Sequence, residues 1–238
     1  MFDVEIYTAA VLFVAYLIRG IAGFGSGLVA IPLLALVHPL PLVVPIVVLL
    51  DFLGSAAQGL NNRSSIRWRE LLPLLPFTLA GVALALYGLH TIDPARLAQA
   101  LAIFIIGFAV YQLLPLPELR GSRIWALPAG FLGGLLGTAF GTGGPLYMVY
   151  LQLRQLDKQE TRASFAAWFF VDGSIRLAGF LVTGLLGVMA FKTLLLWLPA
   201  AALGLLIGGR VHGGIPNHLF RYFISLTLVF SGYRLLTG

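Results

Sequence analysis

Residues Arg19 to Pro32 read R-G-I-A-G-F-G-S-G-L-V-A-I-P, and this stretch decides the fold. It lies inside an apolar run, yet it holds four glycines, a serine and an arginine. An uninterrupted helix disfavours that composition, because each interior glycine costs about 1 kcal/mol relative to alanine. The stretch therefore predicts a break within a helix. A similar one recurs at Gly133 to Pro145, G-G-L-L-G-T-A-F-G-T-G-G-P, where Phe140-Gly141-Thr142-Gly143 lines up with Phe24-Gly25-Ser26-Gly27. Two such breaks, one in each half of the chain, suggest a duplicated design.

The surrounding composition says what medium the chain meets. Of 238 residues, 59% are hydrophobic and only 10% are charged, and the mean hydropathy is +0.96. A soluble domain carries about a quarter charged residues, so this chain could not cover a water-facing surface. An all-α polytopic membrane protein is expected. Asp3 and Glu5 precede the first apolar run, so no removable leader is expected. The absence of cysteine excludes disulfides, thiolate metal sites and iron–sulfur clusters. His38, His90, His212 and His218 are scattered at helix ends without metal-ligand spacing, and no metal or cofactor is expected. The net charge of +6 fits basic loops facing anionic lipid rather than nucleic acid.

Outward from the first break, apolar runs follow near 40–60, 71–90 and 96–114, each about the 20 residues a helix needs to cross the hydrocarbon. A polar linker, Pro115-Leu-Pro-Glu-Leu-Arg-Gly-Ser122, marks the midpoint. The second half repeats the order: an interrupted run over 124–153, then runs near 163–183, 186–208 and 219–236. Asp51-Phe-Leu-Gly-Ser55 resembles Asp172-Gly-Ser174, and Tyr111-Gln-Leu-Leu114 resembles Tyr233-Arg-Leu-Leu236. These parallels divide the chain into two repeats, 1–117 and 118–238.

Basic residues then test topology, since cytoplasmic loops are rich in Lys and Arg. Each interrupted run is long for one crossing and short for two. If each forms a re-entrant hairpin, with arms of about 10 residues reaching the bilayer centre, the bases segregate. Arg63, Arg67, Arg69, Arg120, Arg123, Arg154, Lys158, Arg162, Arg210 and Arg221 fall on one side, and Arg96, Lys192 and Arg234 on the other. Simple kinked crossings would split the basic loops between both faces. Each half then holds a hairpin plus three crossings, and the odd number turns the second repeat upside down.

Broken backbone at membrane depth is tolerated only where protein or a watery cavity shields it. At a helix break, free N–H groups and the positive end of the following helix attract anions. The candidate binding residues are thus Arg19, Gly23, Phe24, Gly25, Ser26 and Gly27 in one break. In the other they are Gly137, Phe140, Gly141, Thr142, Gly143 and Gly144. Ser26 and Thr142 offer hydroxyl donors. Against this stands a plain packing role for the glycines, as in small-xxx-small helix contacts.

Arg19, Asp51, Asp172 and Arg176 are ionisable residues within expected membrane segments, where charges face a partner or a cavity. Asp172 and Arg176 are four apart and can pair on one helix face. Asp51 and Asp172 hold matching places in the repeats; each is a candidate for proton coupling, and Asp51 equally for pairing with Arg19. Gln58, Asn61 and Asn62 read as an interfacial cap. Trp68, Trp125 and Trp197 read as interface anchors, and Trp168 as core. No catalytic or nucleotide-binding motif is present.

The motif Gly-Phe-Gly-Ser-Gly-Leu-Val-Ala-Ile-Pro, with its counterpart ending in Gly-Thr-Gly-Gly-Pro145, resembles that of the TauE/SafE family of sulfite exporters and toluene sulfonate uptake permeases. The resemblance covers essentially the whole chain. It implies a permease of the bacterial inner membrane for sulfite, sulfonates or related small anions, with Gly23–Gly27 and Gly137–Gly144 along the pathway. Related thiosulfate transporters use cysteines, which this chain lacks.

The expected protein is therefore a secondary transporter of a small anion, working by alternating access in a lipid bilayer, with protons as a candidate coupling ion. It is expected not to be an enzyme. An uncoupled channel with the same anion site, an intramembrane enzyme using Asp51 and Asp172, and a membrane assembly factor remain the alternatives. Substrate identity, transport direction and oligomeric state are not legible in the chain.

Overall fold

The computed structural model describes residues 2–22, 25–58, 63–113, 120–210 and 217–237, and among them there is no strand. The helices are α1 (Phe2–Ala22), α2 (Ser26–Leu34), α3 (Leu40–Gln58), α4 (Trp68–Leu71), α5 (Leu75–Thr91), α6 (Pro94–Leu113), α7 (Ala126–Phe140), α8 (Gly144–Leu153), α9 (Lys158–Val182), α10 (Val188–Arg210) and α11 (Asn217–Thr237). Each expected apolar run contains a helix among the described residues. Among the described residues, five segments are long and apolar enough to cross a membrane: Asp3–Ile21, Trp68–Thr91, Pro94–Tyr111, Gln159–Val182 and Ala190–Arg210. Leu40–Ser55 is a shorter apolar segment. α11 has helical length but is less apolar, carrying Arg221, Ser225, Ser231 and Arg234.

Polarity is distributed as in a chain dissolved in lipid. Val182 is 89% exposed and Val188 75%, whereas Arg19, Asp172 and Arg176 are at most 3% exposed. A water-soluble fold buries the first kind of side chain and exposes the second. The inversion follows from the medium, because hydrocarbon welcomes Val and rejects an unpaired charge.

Both breaks occur where glycine supplies a backbone that other residues resist. α7 ends at Gly141, whose φ of 63° is left-handed. Its N–H bonds the Gly137 carbonyl at 2.9 Å, closing the last turn. α8 then restarts with Pro145 in its first turn, where a missing N–H costs nothing. In the first break, Gly25 precedes α2 with φ 96°.

The chain turns back on itself at each break. Gly121 N–H donates to Leu153 O at 3.0 Å, so the start of the α7 arm lies beside the end of α8. Tyr7 of α1 donates its hydroxyl to Leu33 O of α2 at 3.0 Å, and Thr8 Oγ1 meets His38 Nε2 at 2.9 Å. The arms are not the matched 10-residue pieces expected. α1 has 21 residues against 9 in α2, and α7 has 15 against 10 in α8. The glycine-rich stretches sit late in each run, so the first arm is the long one.

Two compact units form: Met1–Val47 with Ile92–Leu116 and Gly187–Gly238, and Val48–Thr91 with Pro117–Leu186. In the first unit α1 packs on α10 and α2, and α6 packs on α11. In the second, α7 packs on α5 and α8, while α9 packs on α5 and α8. The long arm of each hairpin thus lies against the helix formed by the third apolar run of the other sequence half, α10 for α1 and α5 for α7. Both contacts are glycine-mediated. Gly204 and Gly208 bring α10 onto the α1 backbone at Phe13 and Leu17, while Gly130 brings α7 onto the Leu74 carbonyl just before α5 and Gly134 brings it onto α5 at Thr78. A Cβ at any of these four would run into backbone, the signature of small-residue helix pairs in membranes.

One tryptophan departs from its expected place. Trp197 is 3% exposed, because α10 begins nine residues before it and carries it inward to the His38 ring, 5.4 Å away. Trp68 and Trp125 are exposed, and Trp168 is buried.

Candidate functional site

In the second unit, α9 presents Trp168, Asp172 and Arg176 at intervals of four, hence on one face. Asp172 and Arg176 form a buried ion pair, with Nη2 on Oδ2 and Nε donating to Oδ1 at 3.1 Å. The guanidinium also reaches the second break. Its Nη1 donates to Gly137 O at 3.1 Å and its Nη2 to Gly133 O at 3.4 Å. A cation is favoured there, since the carbonyls at a helix C-terminus carry the negative end of the macrodipole. Gly137 and Gly143 are needed for the same reason, because a Cβ on either would overlap the Arg176 guanidinium.

The carboxylate has a second donor. Tyr147 of α8 gives its hydroxyl to Asp172 Oδ1 at 3.1 Å. Thr78 Oγ1 of α5 lies 3.4 Å from the same hydroxyl and donates to Gly130 O at 3.2 Å. Tyr147 is fully buried against Gly133, and its ring meets that of Trp168 edge-on at 5.6 Å. Thr142 donates its hydroxyl to Leu136 O at 3.4 Å. Phe140 and Gly144 are buried beside it, Gly144 against Phe169 and Phe165.

In the first unit, Arg19 in the last turn of α1 donates Nη1 to Ser26 Oγ at 3.0 Å. Ser26 opens α2, so here too a buried arginine is bonded to the break. Gly25 makes the left-handed turn and Gly27 is buried in the first turn of α2. Gly23 and Phe24 lie outside the described residues, as do Asn61 and Asn62. Asp51 is buried on α3, where Ser55 donates its hydroxyl to the Asp51 carbonyl at 2.9 Å.

A polar cluster secures the open end of the second hairpin. Glu70 accepts Arg123 Nη2 at 2.8 Å and Arg154 Nε at 2.7 Å. Those arginines flank α7 and α8, and Arg154 also donates to Gly121 O. Tyr150 gives its hydroxyl to the Glu70 carbonyl at 3.0 Å. Hydrogen bonding to Glu70 holds the Arg123 guanidinium above its ordinary range. Nearby, Arg67 bonds Glu160, the partner of Asp157 in the capping box of α9.

Sequence reasoning missed Tyr147, Thr78, Trp168 and Glu70 as members of these networks. Trp168 carried a signal, the spacing of four that continues from Arg176 through Asp172. Glu70 also carried one, as the single carboxylate in a run of basic residues.

A helical chain that buries Arg19, Asp172 and Arg176 within its helices, exposes apolar side chains such as Val182 and Val188 and folds two broken hairpins is a multi-pass integral membrane protein of the transporter class. The chain belongs to the sulfite exporter TauE/SafE family, whose model matches residues 8–235. It is also 28% identical, over 193 residues, to the probable inner membrane transporter protein TsaS of Comamonas testosteroni, covering 80% of this chain and 81% of that one. No solved structure matches. The protein is accordingly a transporter of the bacterial inner membrane, with a small-molecule substrate.

Proposed function

We propose that the protein is a secondary transporter of a small anion, sulfite or an organosulfur compound such as a sulfonate. It works by alternating access around its two glycine-rich broken helices. One observation carries this reading: a buried arginine is hydrogen-bonded to each break, Arg19 to Ser26 and Arg176 to the carbonyls before Gly141. Arginine suits this task, because its planar fork takes two oxygens of an oxyanion at once. Residues Arg19, Gly23–Gly27, Gly137 and Phe140–Gly144 line the pathway in this proposal. The two repeats, 1–117 and 118–238, are inverted copies, and their hairpins enter the membrane and return. The reciprocal packing of α1 on α10 and α7 on α5 supports that relation, since it pairs equivalent elements of the two halves.

Thermal-shift measurements on the purified protein test the reading with sulfite, sulfate, methanesulfonate and small carboxylates. A sulfur oxyanion should raise the apparent Tm, and Arg19→Ala should abolish the rise. No stabilisation by any of these anions, in the wild type, would sink the anion reading.

A further inference from the structure

We propose that the Asp172–Arg176 pair is a proton-linked subsite in which the transported anion replaces the Asp172 carboxylate on Arg176, so that one proton accompanies each monoanion. The inference rests on the anion-transport reading above and adds to it a coupling mechanism.

The first ground is likeness of shape and charge. Asp172 faces the Nε–Nη2 edge of Arg176 with both oxygens. That edge is the one a sulfonate or sulfite would also choose, with two parallel N–H···O bonds. The carboxylate thus occupies the place that an oxyanion of the substrate fits. Both cannot hold it as anions, because two negative charges on one buried guanidinium leave the site with a net charge in a medium of low dielectric. A proton on Asp172 removes the conflict and keeps the site neutral overall once the monoanion is bound.

The second ground is that the cation does not depend on Asp172 for its position. Nη1 is held by Gly137 O and Nη2 by Gly133 O, both on α7. Arg176 therefore stays at the break when the carboxylate lets go.

The third ground is a hydrogen-bond chain that serves both protonation states. With Asp172 ionised, Tyr147 donates to Oδ1 at 3.1 Å. With Asp172 protonated, its O–H donates to the Tyr147 oxygen, Tyr147 donates to Thr78 Oγ1 and Thr78 to Gly130 O. The last two contacts are 3.4 and 3.2 Å, already in reach. No buried donor or acceptor in that chain is stranded by the switch. Meanwhile Trp168 Nε1 and Thr138 Oγ1 are buried and have no hydrogen-bond partner among the described residues. One lies a turn before Asp172 on the same face and the other is next to Gly137 in the chain, so each leaves a donor unspent beside this part of the fold.

Other titratable groups leave this role to Asp172. Among the described residues, Arg176 and Tyr147 are the groups bonded to it, and α7 carries no titratable side chain. α5 contributes the Thr78 hydroxyl, while its Tyr87 and His90 are exposed further along. Glu70 of α4 is taken up by Arg123 and Arg154, and Glu160, three turns back on α9, by Arg67. α3 adds Asp51, buried in the same unit.

The step balances simply. Asp172 takes a proton from solution on the side where the anion enters, and gives it up when the anion leaves on the other. The test uses the full chain in detergent with methanesulfonate, which keeps one negative charge at every accessible pH. In the wild type the dissociation constant should rise about tenfold per pH unit on the alkaline side, the mark of one proton taken up per anion. Asp172→Asn, a fixed mimic of the protonated state, should bind with affinity independent of pH. Should that variant fail to fold, Tyr147→Phe serves instead. It withdraws a donor from the ionised carboxylate and should move the pH midpoint of affinity upward, which a merely structural tyrosine would not do. Affinity independent of pH in the wild type, an unchanged slope in Asp172→Asn, or an unmoved midpoint in Tyr147→Phe overturns the inference while leaving anion transport standing. No binding of methanesulfonate, sulfite or sulfate by the wild type at any pH overturns both.

Discussion

Arg176 lies on the terminal carbonyls of α7, with Nη1 donating to Gly137 O at 3.1 Å. The closeness of that contact depends on the missing side chain at Gly137, where a Cβ would enter the guanidinium. Gly137→Ala should therefore push the cation off Gly133, Gly137 and Asp172 together, at a cost of about 1–3 kcal/mol for overpacking a filled site. Gly107→Ala is the control. It lies on α6 with nothing within 4 Å of an added Cβ, so the helix should gain about 0.5–1 kcal/mol from the better former. Apparent Tm values in detergent compare the two, and a loss of equal size in both would remove the special status of Gly137.

Glu70 gathers Arg123 and Arg154, which flank the two arms of the second hairpin. Removing the carboxylate leaves two cations facing each other across the hairpin's open end. Glu70→Gln should cost about 1–3 kcal/mol and should speed hydrogen exchange at the Gly121 amide, which bonds Leu153 O. The Arg67–Glu160 pair is a contrasting case, since Arg67 is 58% exposed. Arg67→Ala should leave stability nearly unchanged, because an ion pair in open solvent is screened and contributes little. Comparable losses in the two variants would mean that the clamp is ordinary surface charge.

His38 joins α2 to α3 and is bonded to Thr8 Oγ1 at 2.9 Å. Partial burial lowers its pKa from 6.5, against the opposing pull of Glu5. Folding thus favours the neutral imidazole, and the unfolded chain binds the proton more readily. The stabilisation is complete above 6.5, the unfolded value, and is lost as the pH falls through the lower folded value. Apparent Tm should decline over that acidic window in the wild type and decline less in His38→Gln. Identical pH profiles would remove His38 from the account.

The helices and the two breaks were legible because hydrophobic run length and glycine density are properties of the chain itself. Gly25 and Gly141 do adopt the left-handed backbone that marks the breaks. Arm length was not legible. The expectation of about ten residues came from bilayer depth, whereas α1 runs to Ala22 because nothing between Phe2 and Arg19 stops a helix. Asp172 and Arg176 could be paired from their spacing of four. Their attachment to Gly133 and Gly137 could not, since it joins residues 39 and 43 apart in the chain. The same holds for Tyr147, an aromatic residue in an apolar run until α8 is packed against α9.

Arg19 and Ser26 allow the first break to be weighed in the same terms as the second. Their bond is 3.0 Å and both side chains are at most 2% exposed. Ser26→Ala removes an acceptor from a buried cation and should cost about 1–2 kcal/mol, near the value for hydrogen bonds to charged groups. Arg19→Met removes the cation but keeps much of the stem's volume, and should leave Ser26 less dependent on its hydroxyl. Contacting residues in one network couple by about 0.5–3 kcal/mol in a double-mutant cycle. The Arg19→Met/Ser26→Ala double variant should therefore be more stable than the sum of the two losses implies. Strict additivity would mean that Arg19 does not act through Ser26, and the first break would lose the feature it shares with the second.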